Sequence, residues 1–265
     1  MDAAVRLNAH ASGPAGARPI LLVHGFGCDQ SMWHHVAPEL AVDHRVVQLD
    51  LVGSGGSDLD SYDPDRYSRL EAHAEDLVAL CRELGLEDVV LVGHSVSAMI
   101  AVLAHLAAPE LFSALVLVGP SARYLDDGDY VGGFSPSDIE DLLETMDSNH
   151  LGWQSPLAGL VMANPDRPEL AAELEATFCR NRPEIARHFA GVTFLGDNRD
   201  DLRKVTVPTL VLQTRHDAIA PVSAGQFVHD QIAGSQMVVI EGHGHVPHLS
   251  APTETLKAIR EFLAR

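Results

Sequence analysis

Aromatic residues make up only 5% of this 265-residue chain, cysteines number three, and 18 Lys and Arg face 37 Asp and Glu. Each shortage excludes something. The deficit of bases leaves a formal charge of −19, and a nucleic acid needs clustered Lys and Arg to neutralise its phosphates, so no nucleic-acid partner is expected. Cys28, Cys81 and Cys179 are odd in number and widely spaced; they form no CxxC pair and no disulfide framework, and reduced thiols are expected. Cys81 falls on the apolar face of a helical pattern. Long apolar runs are missing too. Stretches such as Ala114–Val118 fall far short of the roughly 20 residues that span a bilayer. The first residues, Met1-Asp2-Ala3-Ala4-Val5-Arg6, lack the charged-then-apolar order of a signal peptide, so a cytoplasmic setting is the default expectation.

What the chain does have is alternation. Short β-branched runs at Ile20–Val23, Arg45–Asp50, Val89–Val92, Ala114–Val118, Thr209–Gln213 and Gln236–Ile240 read as strands. Helical patterns at Tyr67–Leu84, Ser97–Ala108, Val222–Ile232 and Pro252–Leu263 separate or follow them. Leu70, Ala74, Leu77, Cys81 and Leu84 share one face of the first. Strands alternating with helices predict an α/β domain with a mainly parallel sheet covered on both faces.

One gap breaks the rhythm. Roughly 90 residues separate the strands at 114–118 and 209–213, where a crossover needs only about a dozen. Within it, Ser135-Pro136-Ser137-Asp138, Arg167-Pro168-Glu169 and Arg182-Pro183-Glu184 each set Pro and then an acid where a helix begins. Apolar stripes follow each start, and Trp153, Leu157, Leu160 and Val161 form a further cluster. Residues 121–204 therefore read as a helical lid inserted into a core made of 1–120 and 205–265.

The chemistry centres on Gly93-His94-Ser95-Val96-Ser97, between a buried-strand run and a helix. A nucleophile elbow usually reads G-x-S-x-G, and serine replaces the second glycine here; being small, it can meet the packing demand of so tight a turn. A later acid and a final histidine decide the matter. Asp217 comes about four residues past the strand 209–213, and His243, His245 and His248 follow the last strand. This is the order Ser, Asp, His expected at the carboxyl ends of strands. Histidine takes the serine proton and aspartate fixes its tautomer. His245 is the favoured base. Backbone N–H groups of Val96 and of Phe26, in the glycine-rich turn His24-Gly25-Phe26-Gly27, are the expected oxyanion donors.

Two rival motifs fail. Gly53-Ser54-Gly55-Gly56-Ser57-Asp58 resembles a dinucleotide fingerprint, but the third glycine is misplaced and Pro64 prevents a helix from opening there. His243, His245 and His248, with Asp217 as a fourth donor, resemble a metal cluster; Pro247 stands where a carboxylate would strengthen it, and the triad order would go unexplained. Neither a cofactor nor a metal is expected.

At the level of whole phrases the chain resembles α/β-hydrolases of the RsbQ type. This is the bacterial stress-regulator branch that also contains the plant strigolactone and karrikin receptors. The shared wording is "HGFGCDQSMW" (24–33), "DLVGSGGSD" (50–58), "LVGHSVSAMI" (91–100), "PELFSALVLVGPSARYL" (109–125), "GGF" (132–134), "NPDRPEL" (164–170), "VPTLVLQTRHDAIAP" (207–221) and "GHVPHLSAP" (244–252). In that family G-H-S-V-S is a familiar spelling of the elbow. The resemblance implies an α/β-hydrolase fold with a V-shaped four-helix lid inserted after the sixth strand, over a deep apolar pocket. It places Phe26, Phe134, Trp153, Leu157, Leu160, Phe178, Phe189, Phe194 and Ile219 on the pocket wall. The lid wording is closer to the bacterial branch than to the plant receptors, so hormone perception is not carried over. Two functions follow: a serine hydrolase of a small apolar ester or lactone, or a slow, receptor-like hydrolase that senses or supplies a small hydrophobic ligand to a PAS-domain phosphatase partner.

Overall fold

Ile20–Val23 and Val89–Val92 contain no polar residue to turn toward water, so each needs cover on both faces. Both lie in the middle of one seven-stranded sheet. The computed structural model describes residues 2–148, 152–178 and 180–265; Cys179 and 149–151 lie outside them. The strands are β1 (His10–Ser12), β2 (Pro19–Val23), β3 (Arg45–Leu49), β4 (Val89–His94), β5 (Phe112–Val118), β6 (Thr209–His216) and β7 (Gln236–His243). Their order is β1-β3-β2-β4-β5-β6-β7. All neighbours run parallel except β1 against β3.

The described helices are α1 (Ala3–Arg6), α2 (Ala37–Leu40), α3 (Leu70–Glu83), α4 (Val96–Ala107), α5 (Pro136–Ser148), α6 (Gln154–Met162), α7 (Pro168–Phe178), α8 (Pro183–Leu195), α9 (Val222–Gln231), α10 (Pro247–Ser250) and α11 (Pro252–Leu263). None is long and apolar enough to cross a membrane. Strand side chains divide between two layers by their period of two. Ile20 and Leu22 pack with Trp33, Leu40, Ile259 and Phe262 on one face of the sheet. Leu21 and Val23 pack with Leu77, Ile100 and Leu115 on the other.

Two features of the topology place the site. The chain runs outward from β2 to β3 on one side and from β4 onward on the other, so the order reverses between β2 and β4. Ligands of open parallel sheets bind outside the carboxyl ends of strands at such a switch point. Second, α5 to α8 all lie between β5 and β6, and these two strands are direct neighbours, Leu115 beside Thr209 and Val118 beside Leu212. The chain leaves the sheet and returns to it one strand away.

Three expectations need correction. The helical insertion follows the fifth strand of this chain, not the sixth. The count falls short because only one short strand precedes Pro19: residues Ala3–Arg6 form α1 instead, anchored by the Ala3 and Ala4 N–H groups on the Glu83 carboxylate. That strand, β1, is exposed throughout and carries no apolar alternation by which to read it. The last two strands also run past their apolar segments, to His216 and His243, because the two pair again there after a one-residue shift of register. Asp217 thus follows its strand directly.

Candidate active site

β4 ends at His94 and α4 starts at Val96, leaving Ser95 alone between them at φ 58°, ψ −124°. A non-glycine residue in this region costs about 1–3 kcal/mol and needs support from its surroundings. The support is visible. Ser95 N–H donates to Val118 O at 2.8 Å, and Ala98 N–H donates to Ser95 O at 2.9 Å. Gly93 cannot carry a side chain, because a Cβ there would stand 2.1 Å from Ser97 O. Serine at 97 is more than tolerated: its hydroxyl donates to the carbonyl of His24, tying α4 to the loop after β2.

The three expected polar side chains meet. His245 Nδ1 lies 2.7 Å from Asp217 Oδ2, and His245 Nε2 lies 2.7 Å from Ser95 Oγ. Facing an acceptor-only carboxylate, Nδ1 carries the proton, so Nε2 accepts from the Ser95 hydroxyl. Asp217 is itself held from all sides. Its Oδ1 accepts from Ile219 N at 2.8 Å and Ala220 N at 3.0 Å, and Gln213 Nε2 adds a bond to Oδ2 at 3.3 Å. The His245 backbone is fixed by its N–H on Val161 O at 2.8 Å and by His94 Nε2–H on its carbonyl at 2.9 Å.

The competing histidines part company. His243 ends β7, exposed, and stacks on His216 at 4.6 Å. His248 is fully buried and stacks on Trp33 at 4.1 Å. Among the described residues no three metal-ligating side chains gather into a site.

The turn that follows β2 lies against the nucleophile. Cys28 N–H closes on Gly25 O at 3.2 Å, which puts Phe26 and Gly27 at the corner. A Cβ on Gly25 would come within 3.1 Å of Ser95 Cβ and 2.6 Å of the His94 ring, so only glycine lets this backbone approach. Val96 N–H belongs to the first turn of α4, where helix geometry supplies no intrahelical acceptor.

Above Ser95 is an apolar cavity of only about 30 Å³, a narrow slot. Five of the nine expected wall residues line it: Phe26, Leu157, Phe178, Phe194 and Ile219. Cys28, Val161, Leu174 and Val246 complete the apolar lining. Trp153, Phe134 and Phe189 stand one layer back. Trp153 packs on Phe178 at 5.4 Å, Phe134 on Phe194 at 6.1 Å and Phe189 on Phe26 at 5.9 Å. Leu160 is 48% exposed: the inward face of α6 is Leu157, Ala158, Val161 and Met162, and Leu160 belongs to the other side.

Tyr124 went unread in the sequence. It is buried, and its hydroxyl lies 3.1 Å from Ser95 Oγ; with the serine proton on the His245 side, the tyrosine is the donor. Burial pushes its phenol above the ordinary range, so it stays protonated. Nothing around residue 124 signals this, since the loop after β5 is brought to Ser95 only by the pairing of β5 with β4. Cys28, beside the slot, is no second nucleophile: burial, then the charge of Asp29, push its thiol up to about 12.

A model of the alpha/beta hydrolase family matches residues 20–258. The chain belongs to that family. This alpha/beta hydrolase is 42% identical over 234 residues to a probable esterase of Oryza sativa subsp. japonica, a match covering 88% of its length and 86% of the relative's. It is 38% identical over 251 residues to a strigolactone esterase of Arabidopsis thaliana, 94% of each chain. A solved hydrolase from Oleispira antarctica superposes with a TM-score of 0.96 at 37% identity, covering 100% of this chain and 97% of the other. Proteins named as esterases or hydrolases thus recur among its relatives and structural neighbours.

Proposed function

We propose that this alpha/beta hydrolase cleaves a small, uncharged apolar ester or lactone through Ser95, His245 and Asp217. The observation that carries the reading is the unbroken hydrogen-bonded line from Asp217 through His245 to Ser95 Oγ at the floor of an apolar slot. Ser95 Oγ attacks the acyl carbon as its proton passes to His245 Nε2. The carbonyl oxygen becomes an oxyanion held by the N–H groups of Phe26 and Val96. Collapse expels the alcohol, which takes the proton back from His245. Water, deprotonated by the same imidazole, then attacks the acyl-enzyme and frees the acid and Ser95. The slot admits a small acyl group, and the insertion acts as its lid.

The RsbQ-type alternative, in which slow hydrolysis serves a PAS-domain phosphatase, rests on the sequence resemblance alone and is separated by rate. Metabolic hydrolases turn over at about 1–10³ per second, and a receptor-like one is far slower. The test is intact-protein mass after phenylmethylsulfonyl fluoride, beside 4-nitrophenyl butyrate turnover, for wild type and Ser95→Ala. One adduct and turnover, both lost in the variant with kcat falling on the order of 10⁴-fold or more, is the expected result. A folded wild type with neither adduct nor turnover overturns the mechanism.

A further inference from the structure

One short turn of the insertion touches every residue of the oxyanion loop beyond Phe26. Asn181 Nδ2 donates to the carbonyl of Gly27 at 2.7 Å. The Phe178 ring lies where a Cβ on Gly27 would be, 2.5 Å away, and Gly27 has φ +72°. Thr177, its hydroxyl on Leu174 O, stands beside the Cys28 thiol. Arg180 Nη1 pairs with Asp29 Oδ2 at 2.7 Å, and Asp29 is almost wholly buried. Asn181 is buried as well, and Thr177 O and Phe178 O hold its amide at 3.2 and 3.4 Å. From the core side, the loop is anchored at His24 through the Ser97 hydroxyl, two residues before Phe26.

We propose that Asn181 is a positioning residue for the hydrolytic reaction: it fixes the peptide between Gly27 and Cys28, whose N–H bonds Gly25 O, the carbonyl of the peptide unit that carries the Phe26 N–H aimed at the oxyanion. The inference rests on the ester-hydrolase reading above. Its physical basis is leverage. The Gly27 carbonyl, in a tight turn at positive φ, is gripped by the Asn181 amide, a donor already oriented by two helical carbonyls, while the N–H of the same peptide holds Gly25 O at 3.2 Å. The loop that must stabilise the transition-state charge is thus held by the insertion as well as by the core. The insertion then does more than wall the slot: it helps set the aim of the oxyanion donor.

The experiment compares Asn181→Ala and the near-isosteric Asn181→Asp with wild type, checking folding by circular dichroism. Arg182→Ala is the control, because it breaks an insertion-to-core pair with Asp60 that lies away from the loop. Activity is read on 4-nitrophenyl butyrate and on the matching thionoester, whose sulfur accepts hydrogen bonds poorly. Losing an oxyanion donor outright costs about 10²–10³ in kcat. Misaiming one is expected to lower kcat about 10-fold or more, with KM within about twofold, and to shrink the preference for the oxoester over the thionoester. Arg182→Ala should keep both. An unchanged kcat and oxoester preference in folded Asn181→Asp or Asn181→Ala overturns the inference even if stability drops. If Asn181→Ala fails to fold, Asn181→Asp decides alone. Wild type without any esterase activity would instead count against the underlying function.

Discussion

The slot has two unlike walls. Its floor, from the turns after β2, β4, β6 and β7, is held by directed bonds: Ser95, His245, Asp217 and their neighbours share hydrogen bonds of 2.7–3.0 Å. Its roof, from α6 to α8, touches the cavity only with apolar groups such as Leu157, Phe178 and Phe194. Directed bonds demand particular residue types at particular places, whereas apolar packing demands volume and tolerates exchange. The floor therefore sets what reaction runs, and the roof sets what fits.

That contrast is sharpest if the floor is cut first. Asp217→Asn should leave the cavity unchanged while letting His245 take the wrong tautomer, and kcat should fall about 10⁴-fold. Rates on a short and a long acyl ester would fall together, and a drop confined to one of them would contradict the division. Cutting the roof should do the reverse. Leu157→Ala deepens the slot, so kcat/KM on an ester two methylenes longer should rise about 10-fold relative to the butyrate. A parallel loss on all chain lengths would mean that α6 supports the chemistry itself.

The smallest effect belongs to the packing behind both walls. His73 is buried between Tyr67 and Phe189, and burial first, then the charges of His24 and Arg66, hold its pKa down at about 3. The unfolded chain takes up a proton near pH 6.5 that the folded chain refuses. Stability is therefore full above that pH and falls as pH drops from 6.5 toward 3, by up to about 1.4 kcal/mol per unit. His73→Phe should flatten the fall of the urea midpoint between pH 6.5 and 4.5, leaving turnover at pH 8 unchanged.

The same contrast governs how much could be read beforehand. Ser95, Asp217 and His245 were legible because strand ends, residue order and the elbow turn all constrain them. Even Ser97, at odds with the common motif, has a bonded reason that its small size and hydroxyl foreshadow. Leu160 was misplaced because Leu157, Leu160 and Val161 are equally apolar, and only the docking of α6 decides which of them turns inward. Tyr124 was invisible for a related reason: a tyrosine in a loop declares no partner until the sheet order carries that loop to Ser95. The short strand β1 lacked any apolar signal, since it buries none of its residues.

The neighbourhood of β5 and β6 has a practical side. Because β5 and β6 are parallel neighbours, the chain leaves at the carboxyl end of one and must run back to the amino end of the other, so the four helices ride on a crossover that the sheet requires in any case. A foreign helical cassette spliced in place of α5 to α8, with Tyr124 and the returning turns at 199–204 kept, would leave the strand register intact and the turns bearing Ser95, Asp217 and His245 outside the graft. New selectivities could be installed by transplantation, provided the donor segment brings a side chain to grasp the Gly27 carbonyl.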